Sequence, residues 1–198
     1  MSGQRKSKKG FFTDTLRYVD DFKTELVTEN GRTRKKTTYI GVWEVLREPG
    51  RGTLIRIIGS AVLAAIAAAA GIGVLLVPHG AAGSYFVLVP HLGCLFPLLY
   101  LAMGAFSLPY RQRPMRRDQY MHGPVRMQRS SIAVLAFTIV GAAASGIVRW
   151  IAQDGLILTG DVLYYAGCLA IALACGGILL LIGGIDIAEY PNSYVPQT

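Results

Sequence analysis

The chain has 198 residues, of which 52% are hydrophobic and only 16% are charged, and its formal net charge is +8. The charge is unevenly spread, because 13 of the 20 Lys and Arg lie in residues 1–56 and six more lie in residues 110–129. The long uncharged runs that remain exclude an ordinary soluble domain and are typical of membrane-spanning helices.

Residues 1–53 form a basic N-terminal region that opens with the run Arg5-Lys6-Ser7-Lys8-Lys9. Such a run suits a tail lying against anionic lipid headgroups, and a solvated terminus is the alternative. No nucleic-acid-binding fold accompanies the charge, so nucleic acid is not an expected partner. The first apolar run begins only at residue 54, so we expect the first helix to remain as an anchor rather than be cleaved as a signal peptide.

A β-hairpin is predicted over about residues 20–41, centred on Asn30-Gly31, which is a preferred pair for a two-residue turn. The opposed residues in this register are Glu29 and Arg32, Thr28 and Thr33, Glu25 and Lys36, Thr24 and Thr37, and Phe22 and Tyr39. An isolated two-stranded hairpin is only marginally stable in water, so we expect support from a partner protein, a second copy or the membrane surface. The alternative is a hairpin folded over the helices. Residues 39–46 are predicted to form a short interfacial segment with Trp43 at headgroup level.

Four membrane-spanning helices are predicted at about residues 54–77, 85–108, 131–152 and 162–184. At 1.5 Å per residue they extend about 33–36 Å, enough to cross a hydrocarbon layer of about 30 Å. The predicted fold is an all-α membrane protein, a four-transmembrane-helix bundle of two helical hairpins with the same orientation. The small N-terminal β-hairpin precedes it, and a tail of residues 185–198 follows it.

The loop between the second and third helices, residues 109–130, is rich in arginine. Its six arginines are Arg111, Arg113, Arg116, Arg117, Arg126 and Arg129. This loop and residues 1–56 hold 19 of the 20 basic residues, and the links 78–84 and 153–161 hold none. The positive-inside rule therefore predicts cytoplasmic termini. The compact loops and the strong charge asymmetry suggest a plasma membrane, taken here as a bacterial inner membrane. Six arginines exceed what orientation requires, so they are predicted to bind anionic headgroups or an acidic partner.

A parallel duplication is one interpretation of the two helical hairpins. An offset of 75 aligns Ala67–Ala69 with Ala142–Ala144, and an offset of 74 aligns Gly93-Cys94-Leu95 with Gly167-Cys168-Leu169. Because alanine and glycine are common in such helices, chance similarity is the alternative.

A candidate intramembrane site comprises Pro90, His91 and Pro97 in the second helix. Proline frees a backbone carbonyl and histidine can bond to a neighbouring helix, so the pattern indicates either a gate or ligand contact in a broken helix, or a kink satisfied within the bundle. No Asp or Glu lies in any predicted span, and Arg149 is interpreted as an anchor at the outer interface. His79 is interpreted as an ordinary polar residue of a link.

These patterns predict a non-enzymatic multi-pass membrane protein, a structural, accessory or partner-docking protein at the cytoplasmic face. Recognised catalytic motifs are lacking, and three cysteines without metal-ligand spacing predict no metal or cofactor. The expected partners are anionic lipid headgroups and either a partner protein or a second copy. The alternative is a subunit of a small oligomeric transporter or channel, supported by the repeat and by Pro90-His91. A lipid-acting enzyme comes third, with Asp118 and His122 as its acid–base candidates.

Overall fold

The computed structural model describes residues 21–29, 32–47, 50–110, 114–152 and 159–190. In chain order its elements are β1 (Phe22–Glu29), β2 (Arg32–Tyr39), β3 (Trp43–Leu46), α1 (Arg51–Leu76), α2 (Tyr85–Phe106), β4 (Met115–Arg116), α3 (Arg117–Tyr120), α4 (Arg126–Ala152), α5 (Thr159–Gly183) and β5 (Ile187–Tyr190). A π-helical turn, Met121–Val125, joins α3 to α4 in one continuous helical run. The predictions of four long helices and of an N-terminal hairpin are confirmed.

The helices α1, α2, α4 and α5 are long and apolar enough to cross a membrane, by length and composition. They contain 26, 22, 27 and 25 residues, which corresponds to about 33–41 Å at 1.5 Å per residue. Large apolar side chains, among them Phe86, Phe96, Phe106 and Leu180, point away from the other helices. A helix that is apolar on its outer face as well as its inner one suits a lipid environment.

The four long helices pack in a ring in which α1 and α4 each contact both α2 and α5. The contacts between the two hairpins, α1 with α5 and α2 with α4, are more extensive than the contacts within each hairpin. The shared core includes Ile57, Leu101, Met127, Ile171 and Ile178, all fully buried. Each hairpin is therefore held mainly by packing against the other.

Strands β1 and β2 pair antiparallel in the predicted register, from Phe22 opposite Tyr39 to Glu29 opposite Arg32. The hydroxyl oxygens of Thr24 and Thr37 lie 3.3 Å apart across the pair. Cross-strand threonine pairs and opposite charges each favour this register. The turn residues Asn30 and Gly31 lie outside the described residues.

A second sheet, which the sequence did not predict, has β3 at its centre with β4 on one side and β5 on the other, both antiparallel. It brings the N-terminal region, the segment after α2 and the segment after α5 to the same end of the helices, the sheet end. The prediction that residues 39–46 lie at the membrane interface stays a prediction. Trp43–Leu46 is the central strand of this sheet, because its backbone groups pair with two distant strands.

The two helical hairpins are equivalent at a constant offset of 74 residues. Buried Ile57, Ser60, Ala64, Ala67 and Gly71 of α1 correspond to buried Ser131, Val134, Thr138, Gly141 and Ser145 of α4. The helix starts, Tyr85 for α2 and Thr159 for α5, differ by the same 74. The offset of 75 predicted for α1 and α4 is corrected, because runs of Ala and Gly match well one residue out of phase whereas the buried positions do not.

The short strands obey the same offset. Trp43 of β3 pairs with Arg116 on one side and Tyr190 on the other, and these two partners are 74 residues apart. The strand β4, which follows the first helical hairpin, pairs with one edge of β3. The strand β5, which follows the second helical hairpin, pairs with the other edge. Equivalent helix starts, buried positions and strand registers all support the duplication.

The last two long helices begin earlier than predicted. The helical run that contains α4 starts at Arg117, so residues 117–130 of the predicted loop are helical. Pro124 lies in the π-helical turn, where the wider hydrogen-bonding pattern accommodates a residue without an N–H. The helix α5 begins at Thr159 rather than near residue 162, which places Asp161 in its first turn.

Candidate functional site

Two of the candidate arginines join the hairpin to the sheet end of the helices. The Arg116 guanidinium lies over the Tyr39 ring, 5.7 Å from its centroid. The backbone N–H of Arg117 donates to the Tyr39 hydroxyl at 3.1 Å, and that hydroxyl donates to the Val42 carbonyl at 2.6 Å. Tyr39, at the foot of the hairpin, is therefore bonded on both sides.

Arg126 and Arg129 lie in the first turn of α4. The Arg126 Nη2 atom is 2.7 Å from His122 Nδ1, and its guanidinium lies over the Tyr100 ring, 5.4 Å from the centroid. Arg129 is exposed. The remaining two candidates, Arg111 and Arg113, lie outside the described residues. The described arginines are distributed over the sheet end rather than gathered around one point.

The hairpin exposes both of its faces. Its exposed side chains are Lys23, Thr24, Glu25, Leu26, Thr33, Arg34, Lys35, Lys36, Thr37 and Thr38. On β1 the Lys23 Nζ and Glu25 Oε1 atoms form an ion pair at 2.8 Å. Within the part of the chain that the structure describes, no third strand joins β1 and β2. Strand β2 is thus an exposed basic edge.

Glu44 is the buried acid of the three-stranded sheet, where it lies opposite Glu189. Burial raises the pKa of the Glu44 carboxyl, the charge of Glu189 raises it further, and Arg117 acts in the opposite direction. A carboxylate that is desolvated beside a like charge favours its protonated form.

A buried polar cluster lies at the opposite end of the helices, the link end. Asp161 is 2% exposed; its Oδ2 accepts from Arg149 Nη1, and its Oδ1 accepts from the Gly80 backbone N–H at 3.1 Å. Its position in the first turn of α5 is favourable for a negative charge. The interpretation of Arg149 as an interfacial anchor is therefore corrected, because its side chain is 15% exposed and pairs with a buried acid. Asp161 lies outside the predicted span 162–184 but inside α5, because the helix begins earlier than predicted.

His91 lies within this cluster. Its Nδ1 atom is 2.8 Å from the Val87 carbonyl oxygen, and its Nε2 atom is 3.3 Å from the Tyr164 hydroxyl. Because a carbonyl only accepts, Nδ1 carries the proton and Nε2 of the neutral ring accepts from Tyr164. The helix α2 continues through Pro90 and Pro97 without a break.

Gly141 of α4 makes room for His91. A Cβ at Gly141 would overlap the His91 ring, so only a glycine allows the imidazole to lie against α4. His91 is thereby enclosed between α2, α4 and α5.

His79, in the link after α1, stacks on Tyr164 with ring centroids 4.1 Å apart. Its Nδ1 atom is 3.1 Å from the Val77 carbonyl oxygen, and its Nε2 atom is buried without a hydrogen-bond partner among the described residues. A cavity of about 40 Å³ is lined by His79, Val87, His91 and Tyr164, and it could hold a small number of waters. His79 is therefore part of the buried cluster, not an ordinary polar link residue.

Hydroxyl and thiol groups continue from this cluster along the core. Ser131, Thr138 and Ser145 recur every seven residues on α4, and all three are buried. Cys94 of α2 and Cys168 of α5 are also buried free thiols. We call the following buried groups the polar seam: His91 and Cys94 of α2, Ser131, Thr138 and Ser145 of α4, and Tyr164 and Cys168 of α5. Within residues 21–190, gaps excepted, no group of three or more His, Cys, Asp or Glu could hold a metal ion.

No family model, no curated protein and no solved structure matches this chain.

Proposed function

We propose that the protein is a multi-pass membrane protein that docks a partner protein through the basic hairpin β1–β2. The observation that carries this proposal is the construction of the hairpin, which is exposed on both faces yet bonded at its foot through Tyr39. A two-stranded hairpin alone is marginally stable in water. It therefore gains most from a strand that a partner adds to its edge.

The segment that binds is acidic and extended. Strand β2 presents Arg34, Lys35 and Lys36, whereas Lys23 of β1 is already paired with Glu25. An added strand would form backbone hydrogen bonds with the outer edge of β2 and place its carboxylates beside these cations. Each cross-strand charge pair contributes about 0.2–1 kcal/mol. The larger effect of the charges is on the rate of encounter and on the choice of partner.

We further infer that the sheet end faces the cytoplasm and that the role is accessory or structural rather than catalytic. The positive-inside rule supports this orientation, because the links at the other end contain no Lys or Arg. The meeting of β3, β4 and β5 at one end is consistent with cytoplasmic termini. The lack of a recognised catalytic motif in the sequence supports the accessory role.

The test is covalent crosslinking in native membranes followed by purification of the full chain. The variant Arg34→Glu/Lys35→Glu/Lys36→Glu reverses the charge of β2. The matched control, Lys6→Glu/Lys8→Glu/Lys9→Glu, makes the same change in net charge outside the hairpin. We expect a protein partner to be recovered with the wild type and the control and lost with the β2 variant. Equal recovery with both variants, or no crosslinked protein with the wild type, would contradict the proposal.

The second candidate function is that of a subunit of a small oligomeric transporter or channel. The polar seam favours it, because polar groups buried inside apolar helices commonly mark solute or proton paths. His91→Phe removes the imidazole from the seam, and Cys175→Ala is a control elsewhere in the core. If this hypothesis is right, liposomes that contain the purified protein show a proton or ion flux that His91→Phe lowers and Cys175→Ala preserves. A flux no greater than that of empty liposomes would rule it out.

A further inference from the structure

A concave site separate from the hairpin lies where α2 ends at the sheet end. Its volume is about 630 Å³, which is in the usual range for pockets that enclose a small ligand. Phe106 and Leu108 contribute to its apolar wall, and Gln119 and His122 contribute to its polar wall. The site therefore has the two-part character that an amphipathic ligand requires.

The depth of the site matches the boundary between acyl chains and headgroups. The helix α2 has 22 residues, or about 33 Å at 1.5 Å per residue, which is close to the hydrocarbon thickness of about 30 Å. Phe106 is the last residue of α2 and is 88% exposed. The apolar wall thus begins where a lipid chain would reach the end of the hydrocarbon layer.

The polar wall supplies hydrogen-bond donors. An arginine can only donate, so the contact of 2.7 Å between Arg126 Nη2 and His122 Nδ1 makes Nδ1 the acceptor and leaves the proton of the neutral ring on Nε2. The Gln119 Oε1 atom accepts from the Arg116 backbone N–H at 3.2 Å, so the NH₂ group of that amide is left as a donor. Donors beside the fixed positive charge of Arg126 are suited to an anion.

Two glycines allow α2 to end against the π-helical turn that carries His122. A Cβ at Gly123 would lie 2.6 Å from the Ser107 carbonyl oxygen, and a Cβ at Gly104 would lie 2.7 Å from Met127 Cγ. Larger residues at either position would push the turn away from α2. The juxtaposition of the polar and apolar walls therefore depends on this close approach.

We propose that this cavity binds one anionic phospholipid of the surrounding bilayer. The phosphate accepts hydrogen bonds from Gln119 and His122 with Arg126 beside them, and the glycerol and upper acyl chain lie against the wall that contains Phe106 and Leu108. The apolar wall and its depth favour a lipid over free phosphate, which would use only the polar side. The hairpin takes no part in this site, so this proposal and the docking function can fail independently.

The test uses the purified full chain in nanodiscs that contain phosphatidylglycerol and phosphatidylcholine, with bound lipid counted by native mass spectrometry. Arg126→Gln and Arg129→Gln form a matched pair, since each removes one charge from the first turn of α4. Neither arginine lines the cavity, but Arg126 contacts His122, which does. His122→Phe removes the imidazole donor but keeps an aromatic ring. A charged hydrogen bond lost from the site weakens binding by about tenfold. We expect Arg126→Gln and His122→Phe to bind phosphatidylglycerol about tenfold more weakly than the wild type. We expect Arg129→Gln to bind it within about twofold of the wild type.

Equal retention of phosphatidylglycerol and phosphatidylcholine by the wild type would overturn the proposal. An equal loss of bound phosphatidylglycerol with Arg126→Gln and with Arg129→Gln would also overturn it, because the lipid would then respond to the overall charge and not to this site. Displacement of the lipid by inorganic phosphate at the same concentration would assign the site to free phosphate instead. If Arg126→Gln does not fold, as judged by gel filtration, His122→Phe alone decides between a specific site and a diffuse effect.

Discussion

At the scale of single residues, the Asp161 carboxylate is buried and both of its oxygens have partners. It bonds to Arg149 of α4 and to the backbone of Gly80, and it belongs to α5, so one side chain ties three segments together. An ion pair away from water is a poor source of net stability when compared with apolar packing, but losing one partner leaves the other charge buried.

Asp161→Asn is therefore expected to lower the free energy of unfolding by about 3 kcal/mol. The matched control is Asp186→Asn, because Asp186 pairs with Arg47 at 3.2 Å while both side chains are more than half exposed. An exposed pair contributes at most about 1 kcal/mol. Thermal and denaturant unfolding in the same mild detergent measures both variants. Equal destabilisation by the two would show that burial of the first pair has no energetic consequence.

Gly141→Ala is expected to destabilise the fold by about 1–3 kcal/mol, since the added methyl group overlaps the His91 ring and forces the helices apart. The control is Gly73→Ala in α1, where a Cβ would meet nothing within 4 Å. Alanine is the better helix former, so the control should match the wild type or exceed it by up to about 1 kcal/mol. The melting temperature in detergent distinguishes these outcomes. A stable Gly141→Ala protein would mean that His91 has room to move.

At the scale of elements, the hairpin could be predicted because all of its determinants are local. Asn30-Gly31 and the cross-strand pairs beside it lie within about twenty residues, and the observed register agrees. The three-stranded sheet could not be predicted, because β3 and β5 have four residues each and β4 has two, with no turn connecting them. The place of Asp161 in α5 could not be predicted either. Gly160 favours a link over a helix, so the sequence predicts a helix start near residue 162, whereas α5 begins at Thr159.

The three-stranded sheet is expected to lose stability as the pH rises. The pKa of Glu44 is raised in the folded state, chiefly by burial, so the folded state binds more protons than the unfolded state above the ordinary value of about 4.3. The loss develops between that value and the folded pKa and is complete above the latter. Urea unfolding followed by Trp43 fluorescence, in a Trp150→Phe background, measures it.

Glu44→Gln should abolish this pH dependence of the sheet. Glu189→Gln should only reduce it, since burial rather than the neighbouring charge is the main cause. A pH profile that is unchanged by Glu44→Gln would assign the titration to another group.

At the scale of the whole molecule, the polar cluster lies where the two halves differ. At the offset of 74, Asp161 corresponds to Val87, Tyr164 to Pro90 and Arg149 to Leu75. Val87 and Asp161 are both about 2% exposed, so equivalent buried positions hold an apolar group in one half and a charge in the other. The two halves therefore bury equivalent positions. The charged pair and the tyrosine of the link end occur only in the second half, where they contact the link after α1.

The orientation inferred above predicts which residues are accessible from outside the cell. In a chain whose three cysteines are replaced by alanine, Gly83→Cys in the link after α1 should react with a membrane-impermeant maleimide on intact cells. Thr38→Cys in the hairpin should react only after the membrane is permeabilised, since both positions are exposed but lie at opposite ends of the helices. The reverse pattern would contradict a cytoplasmic sheet end, and labelling of both positions would indicate mixed orientations.

The central strand of the sheet, β3, is synthesised before both of the strands that pair with it. Trp43 leaves the ribosome 73 residues before Arg116 and 147 residues before Tyr190, its two partners. Its first free edge can be paired only after one helical hairpin has entered the bilayer, and its second only after both have done so. A chain with a missing or inverted helix would leave an edge of β3 unpaired, and unpaired edges attract other chains. Closure of this small sheet therefore requires both helical hairpins to be in place, with β4 and β5 on the same side of the membrane as β3.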